Sequence, residues 1–334
     1  MKKFLALIAT VVLCVICAFG AAGCGKDSGK LKIFVPDGAP ALSLSGIAQT
    51  DANGYFDVSV VDASTIQAYV SGNMEADVAI MPVNAAVKLL GNGKNYKLLG
   101  TVTHGNLYLM KKASGVDIAT AADLNVLVGK TVGVINLDNV PGLTFKVILS
   151  DNGLEFNELK EGVSIAGDKV NLKKVEAVDV TPANSECDYF VVPEPAATTK
   201  QSKTEGKLSV CGNLQSLYGE EGGYPQAVAV AKSSLIESNQ KAVSAFVSSF
   251  EFSQSWMANE STSAQAIISA IDNMTKGDFD HAFTAENLTK GVIANCSIKY
   301  EKNESGKAKI IAFMKKLNAV SSSPWGTPAE EFFY

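Results

Sequence analysis

The residues best suited to chemistry in this chain are hydrogen-bonding side chains placed where apolar runs end. Asp37, Gly38, Ala39 and Pro40 follow the run 31–35. Ser64 and Thr65 follow 56–61, and Pro82, Val83 and Asn84 follow 77–81. Asn139 and Val140 stand before Pro141, and Glu194 sits between two prolines after 188–192. His104 and Asn106, around Gly105, interrupt the apolar stretch 98–110. Such groups recognise a small molecule more readily than they transform one. There is no Gly-x-Ser-x-Gly elbow, no phosphate loop and no metal-ligand spacing, and the chain has 2 histidines in all. No catalytic residue, metal site or cofactor is expected.

Each position also has a plain structural use. Asp37 caps a helix or contacts a ligand, and Gly38 lets backbone approach closely. Ser64 and Thr65 donate hydroxyl hydrogen bonds or cap the next helix. Glu194 receives a donor from a ligand, which favours a ring nitrogen, amine or amide; otherwise it pairs between lobes or faces water. His104 and Asn106 need partners if buried, supplied by the core or by a ligand. Tyr224 can stack on a planar ligand.

The elements that must position these residues are visible as a repeat. Asp37-Gly38-Ala39-Pro40-Ala41-Leu42 is echoed by Asp138-Asn139-Val140-Pro141-Gly142-Leu143. The run 58–64 is echoed by 175–181, and 76–86 by 187–197, in the same order. The copies differ only by loop-sized insertions, which implies two similar lobes. Strands are expected at 31–35, 56–61, 77–81, 98–110, 131–135, 188–192, 208–211 and 227–231. Helices are expected from about residue 65, over 85–90, and from Pro141 to a stop at Asn152-Gly153. Residues 154–173 are weakly patterned and suggest a surface hairpin or helix, and 212–224 a Gly-rich loop. Val243, Phe246, Val247, Phe250 and Met257 share one helical face, as do Ile310, Ile311, Phe313, Met314 and Leu317. Alternating strand and helix argue for mainly parallel sheets covered on both faces.

With 334 residues, 47% hydrophobic and 19% charged, the chain can build two cores. All of its basic side chains are Lys, so no guanidinium fork is available to grip an anion. Net charge −5 without a basic cluster argues against nucleic acid as a partner. Lys2 and Lys3 precede an apolar run, 4–19, too short for a comfortable membrane span of about 20 residues. Residues 1–23 therefore read as a signal peptide. Ala21-Ala22-Gly23-Cys24 resembles a bacterial lipobox, with Ala21 where Leu is commoner, and this implies lipidation at Cys24. Residues 24–30 form a polar tether. Cys187, Cys211 and Cys296 remain, with no metal spacing, and are expected in the core.

This organisation resembles the type II periplasmic-binding-protein fold, two Rossmann-like lobes joined by two crossing strands. More narrowly it is similar to importer substrate-binding proteins for nitrate, sulfonates, taurine and thiamine-pyrimidine precursors. The residues carrying the likeness are 33–38, 76–82, 129–134, 193–197, 224–228 and the aromatic ending 332–334. The resemblance implies one lobe from 31–110 with 225–334 and another from 111–224. It further implies a monomeric lipoprotein on the outer face of a bacterial cytoplasmic membrane. Such a protein passes its ligand to an ABC permease and its ATPase. The absent Arg departs from relatives that clamp carboxylates and leans the ligand toward a neutral or cationic heterocycle, with a small sulfonate or nitrate-type anion next. A surface sensor or adhesion lipoprotein, and an enzyme of pyrimidine or chorismate-derived metabolism, are the alternatives.

Overall fold

The structure, a computed structural model, describes residues 30–52 and 54–334; the leader and Cys24 lie outside the described residues. The chain begins with β1 (Leu31–Pro36), β2 (Phe56–Val61), β3 (Val78–Pro82) and β4 (Tyr96–Thr103). It crosses to β5 (Leu107–Lys112), β6 (Thr131–Ile135), β7 (Phe156–Leu159), β8 (Val170–Val175), β9 (Tyr189–Pro193) and β10 (Leu208–Asn213). It then returns for β11 (Ala227–Lys232) and β12 (Ile298–Lys302). Two six-stranded sheets result, ordered β12-β4-β11-β3-β1-β2 and β10-β5-β9-β6-β8-β7.

The two sheets share one plan. In the first, β2, β1 and β3 run parallel, and β11 and β4 complete it as successive antiparallel neighbours. In the second, β8, β6 and β9 run parallel, and β5 and β10 follow in the same antiparallel sense. Each sheet then adds one strand of its own, β12 beside β4 and β7 beside β8.

Strand periodicity explains why so many strand residues are apolar. Leu31, Ile33 and Val35 point into one core with the helices Gln240–Ala258 and Ala264–Met274, while Phe34 points into another. Successive side chains leave opposite faces, so a strand covered on both sides must be apolar throughout. Fully burying a side chain such as Ile33 stabilises by about 2 kcal/mol. The core on the Phe34 face continues through the helices Val83–Leu90, Val140–Asp151 and Asn303–Val320 to Val132, Val134 and Leu109 of the second sheet. Both lobes therefore share one hydrophobic core behind the crossing.

Four expectations from the sequence are corrected. The strand expected over 98–110 is two strands in different sheets, because Gly105 adopts φ 92° between them. The crossing therefore falls at 104–106, and 107–110 belong with the second sheet. The stretch 154–173 holds the start of β8 and, beside it, β7, a half-buried edge strand whose position weakens the pattern. The echo of 58–64 in 175–181 is out of register: β8 ends at Val175, and Val178 is 78% exposed. Ile311 lies off the buried face that Ile310, Phe313, Met314 and Leu317 form, and is exposed. Among the described residues no helix is long and apolar enough to cross a membrane.

Candidate functional site

In open α/β sheets, ligands bind beyond the carboxyl ends of the parallel strands. Those ends carry Asp37, Asp62, Asn84, Asn139 and Glu194. The register brings two of them to the crossing. Pro82 pairs with Ala227 and Ala227 with Thr103 in the first sheet, while Pro193 pairs with Leu107 in the second. The third loop of each lobe thus lies beside a crossing segment.

The hydrogen bonds there repeat the duplication. Val83 N donates to Gln226 O at 3.0 Å in one lobe, and Glu194 N donates to Asn106 O at 2.9 Å in the other. Gln226 and Asn106 occupy equivalent places, each just before the antiparallel strand that inserts beside the third loop. Their side chains meet: Gln226 Nε2 donates to Asn106 Oδ1 at 3.0 Å. Asn106 Nδ2 donates in turn to Glu194 O at 3.2 Å. Val83, Asn106, Gln226 and Glu194 therefore form one network under both third loops.

Glu194 is buried and fully engaged. Its carboxylate accepts from Thr198 N at 3.1 Å, Thr198 Oγ1 at 2.7 Å and Asn295 Nδ2 at 2.9 Å. The peptide bond from Glu194 to Pro195 is cis. Asn84, in the first turn of its helix, is wholly buried, and neither its Nδ2 nor its Oδ1 has a partner. Gln226 Oε1 is likewise buried and unpaired.

His104 is buried beside the crossing. Its Nε2 lies 3.1 Å from Lys299 O, and its Nδ1 lies 3.9 Å from Glu301 Oε2. Burial holds the imidazole below its ordinary value, against the pull of Glu301 and the Lys299 carbonyl. Gly105 could not carry a side chain, since a Cβ would lie 2.6 Å from the Tyr224 ring.

The remaining sequence candidates are used locally. Asp37 accepts from Ala282 N at 2.6 Å and lies 3.3 Å from His281 Nδ1, so it ties down residues 281–282. Gly38 has φ 95° and permits the turn into the short helix Ala39–Leu42, which Pro40 helps to open. Ser64 donates its N–H and hydroxyl to Asp62, holding that carboxyl below its usual value, and Thr65 Oγ1 donates to Asp62 O. Asn139 is exposed at the start of helix Val140–Asp151, and Val140 is buried. Tyr224 offers no ligand face. It is fully buried, stacked on Phe313 with 5.6 Å between ring centres, and donates its hydroxyl to Gln215. The apolar surroundings that raise its phenol well above the ordinary value also remove it from any surface.

Sequence reasoning missed Gln226, Asn295 and Thr198. Gln226 carried a usable signal, because it stands before β11 as Asn106 stands before β5. Asn295 had none, since its role depends on where a distant helix docks. A depression of about 390 Å³ lined by Ser150, Gly153, Leu154, Glu155 and Phe156 lies at the far end of helix Val140–Asp151, away from these loops.

No protein-family model matches the sequence, and no curated protein does. Solved structures match along nearly the whole chain. An ABC transporter protein from Parabacteroides distasonis is 17% identical, with 91% of this chain and 98% of that one covered, at a TM-score of 0.68. The periplasmic aliphatic sulphonate binding protein SsuA from Escherichia coli is 13% identical, with 91% and 92% covered, at 0.62. The ligand binding component of an ABC-type import system from Staphylococcus aureus, solved with zinc bound, is 13% identical, with 92% and 96% covered, at 0.57. The chain has the fold of periplasmic binding proteins.

Proposed function

We propose that this chain is an extracytoplasmic solute-binding lipoprotein. It captures a small molecule between its two lobes and delivers it to an ABC permease driven by its ATPase. The observation that carries the reading is the Gln226–Asn106 hydrogen bond beneath the two matched third loops. It joins equivalent positions of two duplicated lobes at the point where the chain crosses between them, the geometry on which hinge closure over a ligand depends. Similarity of fold to the sulphonate binding protein of Escherichia coli and to the import component of Staphylococcus aureus supports the same role.

The ligand reading favours a neutral or cationic heterocycle over a small sulfonate or nitrate-type anion. The segments 37–40, 62–65, 82–84, 136–140, 176–181 and 193–196 contain no Lys, and the chain contains no Arg. With the carboxylate of Glu194 satisfied by Thr198 and Asn295, direct contact with Glu194 is the weaker part of this reading. The anchor is Cys24, diacylated and left as the mature N-terminus when the leader is cleaved, and the protein acts as a monomer. Mass spectrometry of the protein purified under native conditions tests the receptor role through whatever co-purifies. A thermal-shift screen of pyrimidines, sulfonates, nitrate and amino acids tests the ligand class. Replacing Cys24 with Ser should release the protein from membranes, and retention after leader cleavage would refute the anchor.

A further inference from the structure

The charged groups at the strand ends are already taken. Asp37 holds Ala282, Asp62 holds Ser64, Asp179 holds the N–H of Glu176, and Glu194 holds Thr198 and Asn295. What remains unpaired at the third loop is uncharged. Asn84, one residue beyond the Val83–Gln226 backbone bond, keeps a free donor and a free acceptor, and Gln226 itself keeps a free side-chain acceptor. Gln226 has no freedom to turn, because its Nε2 is fixed on Asn106. Leaving a buried amide without partners opposes folding, whereas an apolar group of the same shape would fill the space without that penalty. Residues that break this rule mark functional sites.

We infer that Asn84, with Oε1 of Gln226, is the selectivity subsite of this protein, and that it takes an uncharged group bearing a donor beside an acceptor. A carboxamide, a ureide or the edge of an aminopyrimidine or pyrimidinone has that pattern. The inference rests on the solute-binding reading and narrows its ligand class. Asn84 has no exposed surface, so the group reaches it only when the third loops part. Closure then pairs the ligand edge with an amide whose partners are otherwise missing. A sulfonate or nitrate offers acceptors only and would leave Asn84 Oδ1 and Gln226 Oε1 unpaired, which a site built from them rejects.

The test uses Asn84→Leu, close to Asn in shape, with Asn84→Ala where leucine does not fit. In the ligand-free protein the substitution should leave the melting temperature unchanged or raise it. A fall of several degrees would mean that Asn84 is paired within the protein, by a buried water for example, and would overturn the subsite. Cytosine, uracil and nicotinamide are then titrated against methanesulfonate and nitrate. At least one uncharged probe should bind the unsubstituted protein and lose tenfold or more in affinity in the variant. A sulfonate or nitrate that binds both proteins equally would overturn the subsite and leave the solute-binding reading standing. If no probe binds and nothing co-purifies, both fail together.

Discussion

Asn295 Nδ2 donates to Glu194 Oε1 at 2.9 Å, and Asn295 O accepts from the Tyr108 hydroxyl at 3.2 Å. Asn295 ends the helix Lys290–Asn295 just before β12 of the first sheet, while Glu194 and Tyr108 belong to the second. One residue of one lobe therefore clasps two of the other. Asn295→Ala leaves Glu194 with Thr198 alone and should cost about 2 kcal/mol, the range for a hydrogen bond to a charged group. Urea unfolding measures that loss. Small-angle scattering of the ligand-free variant should show a larger radius of gyration as the lobes part.

Lys146 is buried in helix Val140–Asp151 and meets Glu158 of β7 at 2.6 Å, with Lys160 at 3.2 Å from the same carboxylate. Removing either partner has unequal cost. Glu158→Ala strands a buried ammonium and should destabilise by about 3 kcal/mol, whereas Lys146→Met leaves Glu158 paired with Lys160 and should cost less. Burial works against the Glu158 carboxylate, but Lys146 and Lys160 outweigh it and hold its pKa below the ordinary value. The pair's contribution is thus present above the unfolded carboxylate pKa of 4.5 and lost as pH falls through the lower folded value. Chemical denaturation of both variants across acid pH checks the order and the sign.

His104 carries the same proton balance at a higher pH. Its folded pKa is lowered from 6.5 by burial, so below pH 6.5 the unfolded chain takes up a proton that the folded chain refuses. Stability should therefore fall as pH drops below 6.5. His104→Gln should flatten that acid limb, and thermal melts at steps between pH 7 and pH 5, about the range in which histidine titrates, would reveal no difference if His104 were indifferent to folding.

Cys187, Cys211 and Cys296 are free thiols buried in the core. Burial pushes Cys187 up to about 11 and Cys211 up to about 12, and raises Cys296 further with the help of the Glu194 charge. Thiolate is the reactive form, so all three should resist iodoacetamide at pH 8 in the folded protein and react on unfolding. Peptide mapping of the alkylated protein gives the answer site by site.

The sequence was legible where a pattern is local. The parallel strands β1, β3, β6 and β9 announce themselves as apolar runs because both of their faces are covered. Their carboxyl-end loops follow directly, so Asn84 and Glu194 were found as candidates, and Asn106 was found as a polar break in an apolar run. What was not legible depends on partners distant in sequence. Nothing local distinguishes Tyr224 as a core residue, because Phe313 and Tyr218 bury it. Nor does local pattern reveal that Glu194 is spent on Asn295. The missed change of sheet within 98–110 has the same cause, since the apolar runs on either side of His104-Gly105-Asn106 look alike and only their partners show that they belong to different sheets.

The strand order sets a timetable for synthesis. In the first sheet β3 and β4 never touch as neighbours, because β11 lies between them. Until residues 227–232 leave the ribosome, β4 has no strand to join and β3 shows a bare edge. The second sheet suffers no such delay, as β5 to β10 emerge in one unbroken stretch. The lobe begun first is therefore finished last, and a strand from late in the chain must slot into its middle. An exposed strand edge invites pairing with other chains, so this nascent lobe has the most to gain from a chaperone holding it until β11 is made.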